Sequence, residues 1–403
     1  MLKKKTPLIL HQVSNFASGL GNSILMITIP WLILQETRSP AFAGLVAAIS
    51  ALPGLIISPI GGWLVDHVGR RAVSVCADLL SSLAVFAFPI VALTYGLSSF
   101  SILLIAVVGA IFDPAGYTAR KTLLADVAKA SEIELDRLNG IHDGFMGISW
   151  ILGPAVGAGL ISTVGAINSF WVAGGLFIFA AITIAFLRVG NLGKDARDLA
   201  EKMGEKSDRS LRVGFQVLWR DKLLRTLTIA ILVIAAVYLP TETLVLPAYF
   251  EEQDNPAGLG IVISALAAGS TIGSFGYGWI SARMSRKNLV RATLIGTAVS
   301  IVPMALLPPL PLFLLAAFLL GLSWGPFNPL ETSLIQQRVP ADQQGRVFGV
   351  QTAVFYTAPP LGMVLAGQSV ESFGVSTTYV FLAAVLSVTS VLVLLTKSLR
   401  ENF

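Results

Sequence analysis

Apolar runs of membrane-crossing length recur along the chain, separated by short polar stretches that carry most of its charge. About 20 residues of helix cross the hydrocarbon of a bilayer, and this spacing predicts twelve spans. They lie at about 8–34, 41–65, 72–93, 99–120, 139–163, 166–188, 223–250, 256–281, 289–307, 311–332, 347–370 and 375–396. The first run is not read as a cleaved leader, because it is too long and contains His11, Gln12, Ser14, Asn15 and Asn22. The one long connection, about 189–222, is charged and helix-prone, as in Lys194-Asp195-Ala196-Arg197-Asp198. It is read as a solvated linker between an N-terminal bundle of six spans, 1–188, and a C-terminal bundle of six, 223–403.

Polarity changes from span to span with a period of three. The third, sixth, ninth and twelfth are almost uniformly apolar, as helices facing lipid should be. Polar residues gather in the first, fourth (Asp113, Tyr117, Thr118), seventh (Tyr238, Thr241, Glu242, Thr243) and tenth (Ser323, Trp324, Asn328, Glu331). A polar group facing hydrocarbon costs several kcal/mol, so these four helices are expected to line a water-filled cavity. The wall residues are Asn15, Asn22, Phe112, Tyr117, Tyr238, Trp324, Phe327 and Asn328. The second, fifth, eighth and eleventh spans carry small residues at every fourth position, among them Ser149/Gly153/Gly157 and Ala265/Gly269/Gly273. Such ladders allow the close, sliding approach that an interface between two moving halves requires.

Composition agrees with an all-α integral membrane protein. The 403 residues are 54% hydrophobic and 13% charged, with mean hydropathy +0.76, which fits lipid as the solvent. Basic residues set the orientation. With both termini in the cytoplasm, Arg38 alone among the 28 lysines and arginines falls outside, which also accounts for the pI of 9.3 without a nucleic-acid partner. Short loops without glycosylation sequons point to a multi-pass protein of a bacterial inner membrane, and a monomer is expected. The single cysteine, Cys76, is read as a small core residue. No metal or cofactor site is expected, since His-Glu-x-x-His, phosphate-loop and dinucleotide patterns do not occur. Gly321-Leu-Ser-Trp-Gly325 mimics a nucleophile elbow, but inside an apolar span it lacks the strand-to-helix turn that chemistry needs, so no enzyme is read.

The halves repeat. Gly62-Trp63-Leu64 through Arg70-Arg71 matches Gly278-Trp279-Ile280 through Arg286-Lys287 at an offset of 216. Gly109-Ala-Ile-Phe-Asp-Pro114 matches Gly321-Leu-Ser-Trp-Gly-Pro326 at an offset of 212. Gene-internal duplication of this kind is the usual build of secondary transporters.

Between spans two and three the chain reads Gly62, Asp66, Gly69, Arg70 and Arg71 in the register Gly-x-x-x-Asp-x-x-Gly-Arg-Arg. Gly69 suits a tight turn at positive φ. Asp66 stands where the helix dipole disfavours an acid, so Arg70 or the N-terminus of another helix must offset it. This stretch resembles the signature of the major facilitator superfamily, with His67 in place of the usual arginine. The resemblance implies two six-helix bundles that alternate access to a central site, with Asp66 in a cytoplasmic charge latch. The second copy has Ala282 and Ser285 at the matching positions, so one latch is expected.

Ser149, Gly153, Pro154 and Gly157 in span five resemble the family's antiporter motif, which is associated with exporters. The fourth span has Ile105 where some drug antiporters carry arginine. With Asp113-Pro114 and Gly345-Arg346-Val347, the chain is similar to the macrolide-efflux and enterobactin-exporter branch. Asp113 and Glu242 are the candidate proton- and substrate-coupling acids, since burial raises a carboxyl pKa toward the physiological range. Asp78, Asp143 and Glu331 lie nearer the cytoplasmic ends, where pairing with Arg120, Lys121 or Arg338 is expected, and His142 could join that network.

These features point to a secondary exporter of amphipathic or lipophilic small molecules by proton antiport, its partners being the substrate, protons and the bilayer. A siderophore or lipid exporter, or a proton-coupled importer of a metabolite, would share the fold. An importer of polar metabolites should show more Asn, Gln and charge at cavity depth than this chain does.

Overall fold

The computed structural model describes residues 2–190, 211–339, 341–396 and 399; the side chains of 2–4, 55–63, 66, 67, 136, 211–214, 341–343, 345, 346, 348, 349 and 352–356 are outside the description. Helices account for nearly all of it. Ten are long and apolar enough to cross a membrane by length and composition, and Pro40–Gly54 adds a shorter apolar stretch. With the second and eleventh columns, parts of which are not described, the helical columns number twelve.

The chain divides into two compact units, the first comprising residues 1–38 and 49–207, the second 39–48 and 208–403. In the first unit lie α1 (Leu2–Thr37), most of α2 (Pro40–Val68), α3 (Arg70–Thr94), α4 (Ser99–Ser131), α5 (Leu135–Val164) and α6 (Ala166–Ala185). α1 packs on α5 and α6, and α3 on α4 and α6. Leu123, Leu124, Val127, Leu138, Ile184 and Leu187 form a fully buried apolar cluster that joins α4, α5 and the end of α6. The residues between α2 and α3 reduce to one, Gly69 at φ 105°, a conformation only glycine adopts without strain.

The second unit contains α7 (Leu211–Arg220), α8 (Lys222–Pro240), a π turn (Thr241–Val245), α9 (Leu246–Glu252), α10 (Pro256–Ser281), α11 (Arg286–Ala305), α12 (Leu310–Trp324), α13 (Phe327–Arg338), α14 (Ala341–Phe373) and α15 (Val375–Leu395). α10 packs on α12, α11 on α12 and α15, and α14 on α7 and α8. Asp221 caps α8, accepting from the backbone N–H groups of Leu223 and Leu224 at 2.8 and 3.0 Å.

Two columns of this unit are broken, and proline explains both. Pro247 has no N–H to give the carbonyl of Thr243, and the preceding turn widens so that Leu246 N–H bonds the carbonyl of Thr241. Pro326 likewise cannot bond the carbonyl of Leu322 and ends α12. The Gly325 carbonyl at that break is instead capped by the Ser274 hydroxyl at 2.7 Å.

Residues 39–48, at the start of α2, count with the second unit rather than the first, which differs from a boundary set in the linker alone. The reason is close packing. Gly44 sits against the backbone of Met363 and Gly367 in α14, and a Cβ on Gly367 would lie 2.7 Å from the Pro40 carbonyl. Glu371 accepts hydrogen bonds from the Ser39 hydroxyl at 2.6 Å and the Ala41 N–H at 2.9 Å. Cys76, expected in the core, is exposed on α3 between the buried pairs Val73/Ser74 and Ala77/Asp78.

Candidate functional site

In the first unit the polar residues of α1 meet charges from α3, α4 and α5. His11, Asn15, Ser18 and Asn22 recur at three- and four-residue spacing, which places them within roughly 60° of arc on one helix face. His11 Nε2 lies 3.0 Å from the Arg120 carbonyl, and its ring is 5.7 Å from that of His142. The Ser18 hydroxyl donates to Asp78 Oδ1 at 3.0 Å. Arg120 Nη1 meets both oxygens of Asp78, at 2.7 and 2.8 Å, with both side chains buried. Asn22 Nδ2 donates to Asp113 Oδ1 at 2.8 Å.

The expected pairing of Asp78 with Arg120 is therefore present, and His11, Ser18 and His142 stand beside it. The broader network is not. Asp143 is exposed and takes no part in the Asp78–Arg120 pair. Glu331 accepts a hydrogen bond from Gln351 in place of the expected Arg338, whose guanidinium reaches Asp221 at 3.1 Å. Helix geometry explains the difference, since Arg338 lies seven residues beyond Glu331 and beside the turn that starts α8.

The signature stretch is only partly described. Gly62 and Asp66 lie where side chains are outside the described residues, as do Gly345 and Arg346, so the latch expected there is not located. Arg70 has an acidic partner among the described residues. It pairs with Asp126 of α4 at 2.9 Å, while Arg71 donates to the Leu187 carbonyl at 2.8 Å. Both arginines thus tie the start of α3 to the rest of the same unit, at α4 and at the segment just beyond α6. Sequence reading missed Asp126, which is 56 residues from its partner and marked by no local motif.

The antiporter-like residues have a packing role that differs from the sliding interface expected of them. The Ser149 hydroxyl lies 3.2 Å from the Phe16 carbonyl, and Gly153 and Gly157 press against Ser23 and Ile24. The α5 ladder is therefore fitted to α1 inside one unit. Gly269 and Gly273 likewise fit α10 to the backbone of α12 at Phe318 and Leu322. Pro154 follows Gly153 within α5.

The second unit builds an aromatic wall. Tyr238 stacks on Trp324 at 5.7 Å between ring centroids, and Trp324 on Phe327 at 4.9 Å with planes 3° apart. The break at Pro326 lets rings three residues apart lie parallel. Glu242 follows Tyr238 by one turn, inside the π turn and half-buried, with no hydrogen-bond or ion-pair partner among the described residues. π turns are frequent at functional sites, and an unpaired carboxylate in such a turn is a natural receptor for a cation or a proton.

The expected wall residues divide accordingly. Asn22, Phe112 and Trp324 are half-buried, and Tyr117 and Asn328 are exposed. Lys121 Nζ lies 5.7 Å from the Tyr117 ring centroid. Asn15, Tyr238 and Phe327 are buried. Asn15 is closed off from an open wall, and Tyr238 and Phe327 take part in the ring stack. No group of three or more His, Cys, Asp or Glu is arranged to hold a metal among the described residues.

The sequence profile of the Major Facilitator Superfamily matches residues 13–356 and 243–402. The chain belongs to the major facilitator superfamily. Among relatives, it is 35% identical to Multidrug efflux pump Tap of Mycolicibacterium fortuitum over 99% of this chain and 97% of that protein. It is 26% identical to Macrolide efflux protein A of Streptococcus pyogenes, over 89% and 88%. Among solved structures it resembles the nucleoside transporter NupG, with TM-score 0.78 and 13% identity over the whole of both chains. It also resembles a D-xylose–proton symporter, with TM-score 0.74 and 11% identity over 96% of each. At such low identity these two structures speak for the fold alone.

Proposed function

We propose that the protein is a secondary exporter of lipophilic or amphipathic small molecules, driven by proton antiport across a bacterial inner membrane with both termini in the cytoplasm. The observation that carries this reading is the match to Multidrug efflux pump Tap over 99% of the chain. The local chemistry supports it. Stacked rings at Tyr238, Trp324 and Phe327 offer flat apolar surface, and Glu242 beside them offers one negative charge for a cationic group.

Asp113 is the proposed proton carrier. Its carboxyl accepts from the neutral amide of Asn22 and takes part in no ion pair among the described residues. Asp78 differs, because Arg120 holds both of its oxygens and fixes it as structure. Asp66 is retained as the proposed latch residue on the strength of the signature alone.

Accumulation of lipophilic dyes in cells tests the reading. Expression of the chain should lower the accumulation of cationic dyes, a protonophore should restore it, and Trp324→Ala should raise it part-way. The aromatic contact is worth about 0.5–1.5 kcal/mol, so a loss of apparent affinity of several-fold is expected. Higher accumulation on expression would instead mark an importer.

A further inference from the structure

We infer that the first unit contains a hydrated proton path along one face of α1, leading from Asp113 to the His11–His142 pair. It rests on the reading of Asp113 as proton carrier and adds the route by which that proton reaches the cytoplasmic side. The face begins with Asn22 bonded to Asp113, passes Ser18 and Asn15, and ends at His11, whose ring neighbours that of His142.

Along this route several buried polar atoms have no partner among the described residues. Gln12, about 60° round the helix from Asn15 and so at the border of that face, is 4% exposed, yet neither its Nε2 nor its Oε1 has a partner among the described residues, and Asn15, 2% exposed, has none for Nδ2. Nδ1 of His11 and of His142 are in the same position, with both residues buried. An isolated orphan is tolerable in a protein interior. Several on one short stretch of α1 and the facing part of α5 are not, unless a small donor and acceptor serves them together. Water is that ligand: it makes two to four hydrogen bonds and matches both the amide and the imidazole atoms.

The charged and titratable groups around the route are Asp78 from α3, Asp113, Arg120 and Lys121 from α4, and His142 from α5, while α6, which also packs on α1, has none. Asp78 is engaged by Arg120 and Ser18 and so stays out of the transfer. The O–H bond of protonated Asp113 breaks, and the proton passes to water held by Asn15 and Gln12. It then passes to an imidazole Nδ1 at the His11–His142 pair and leaves to cytoplasmic water, restoring the neutral ring. Asp113 is left as carboxylate. No electrons are exchanged.

The test reconstitutes the full chain in proteoliposomes with a fluorescent cationic dye and reads two rates. Dye transport driven by a pH gradient moves protons; dye-for-dye exchange at equal pH does not. Asn15→Leu and Gln12→Leu are each expected to slow the first rate about tenfold and leave the second within about twofold. Asn15→Ser, which keeps room and a polar group for water, should stay near wild type in both. Unchanged gradient-driven transport in the two leucine variants overturns the path, and so does an equal loss of both rates, which is the mark of a packing defect. Asp113→Asn separates the layers of the argument. If it keeps gradient-driven transport, Asp113 is not the carrier and the reading beneath the path falls. If it loses transport while the leucine variants keep it, the path alone falls.

Discussion

The two halves of this chain repeat one sequence pattern but solve the same packing problem with different chemistry. In the first unit α3 and α4 are joined by the buried Asp78–Arg120 ion pair. At the repeat offsets of 216 and 212 the second unit has Leu294, buried, and Thr332. Carried along the chain, the same offsets set Asn22 opposite Tyr238, Phe112 opposite Trp324 and Asp113 opposite Gly325. The amide of Asn22, bonded to Asp113, thus corresponds to the Tyr238 ring, which stacks on Trp324, while the acid itself corresponds to a glycine. At these repeat positions the first unit carries Asp78, Arg120 and Asp113, and the second carries no charge.

The comparison breaks most sharply at the ion pair. Arg120→Met leaves a buried Asp78 carboxylate with the Ser18 hydroxyl as its remaining donor, and losing one partner of a buried pair costs about 3–5 kcal/mol. A large fall in the thermal unfolding midpoint of the purified protein is expected. The double variant Asp78→Leu with Arg120→Thr copies the second unit, removes both charges and should recover most of the loss. If the double variant is as unstable as the single, the two halves are not interchangeable at this site, and the correspondence with Leu294 and Thr332 fails.

Backbone approach gives the next test. Gly109 and Gly321 are equivalent by sequence, yet a Cβ at Gly109 would meet Ala84 at an ordinary 3.6 Å, while at Gly321 it would run into the Leu266 carbonyl and lie 2.8 Å from the Ser270 nitrogen. Gly321→Ala must push α10 from α12, and overpacking of this kind costs about 1–3 kcal/mol. Gly109→Ala should fall within about 0.5 kcal/mol of wild type, as most unstrained substitutions do. Equal effects on the unfolding midpoint would mean that the second unit is no more tightly fitted there than the first.

That asymmetry also marks how far the sequence could be read. Apolar length and the distribution of Lys and Arg make the spans legible, because both follow from the cost of placing charge in lipid. The pairing of Asp78 with Arg120 could be anticipated for the same reason, since a buried charge needs an opposite one. What escaped was set by tertiary geometry. The sequence pattern Gly-x-x-x-Gly marks close approach but does not name the partner, so the α5 ladder read as a moving surface is fitted to α1. The Asp126 partner of Arg70 lies on another helix with no motif to announce it. The π turn that holds Glu242 depends on Pro247, whose missing N–H is visible in the sequence, though the wider turn that absorbs it is not.

Asp78 and Asp126 of the first unit are held in ion pairs as buried carboxylates, whereas Glu371 of the second makes its bonds in the open. Glu371, just beyond the eleventh apolar run, is exposed, and its carboxyl is held below the usual glutamate range by the Ser39 hydroxyl and then by the Ala41 N–H. A carboxyl lowered on folding stabilises the bonded form above the ordinary glutamate pKa of about 4.3, and that contribution is lost as pH falls through the lowered value. The effect should be small, because solvent screens the site. Hydrogen exchange at the Ala41 amide reads it directly. After correction for the intrinsic pH dependence, protection should hold from neutral pH down to about pH 5 and decline below the glutamate range. Glu371→Gln should flatten that decline while keeping an acceptor for both bonds, and Glu371→Ala should remove protection at every pH. Protection that declines in the glutamine variant as it does in wild type would assign the pH response to another group, and the contrast between buried and open carboxylates would then rest on geometry alone.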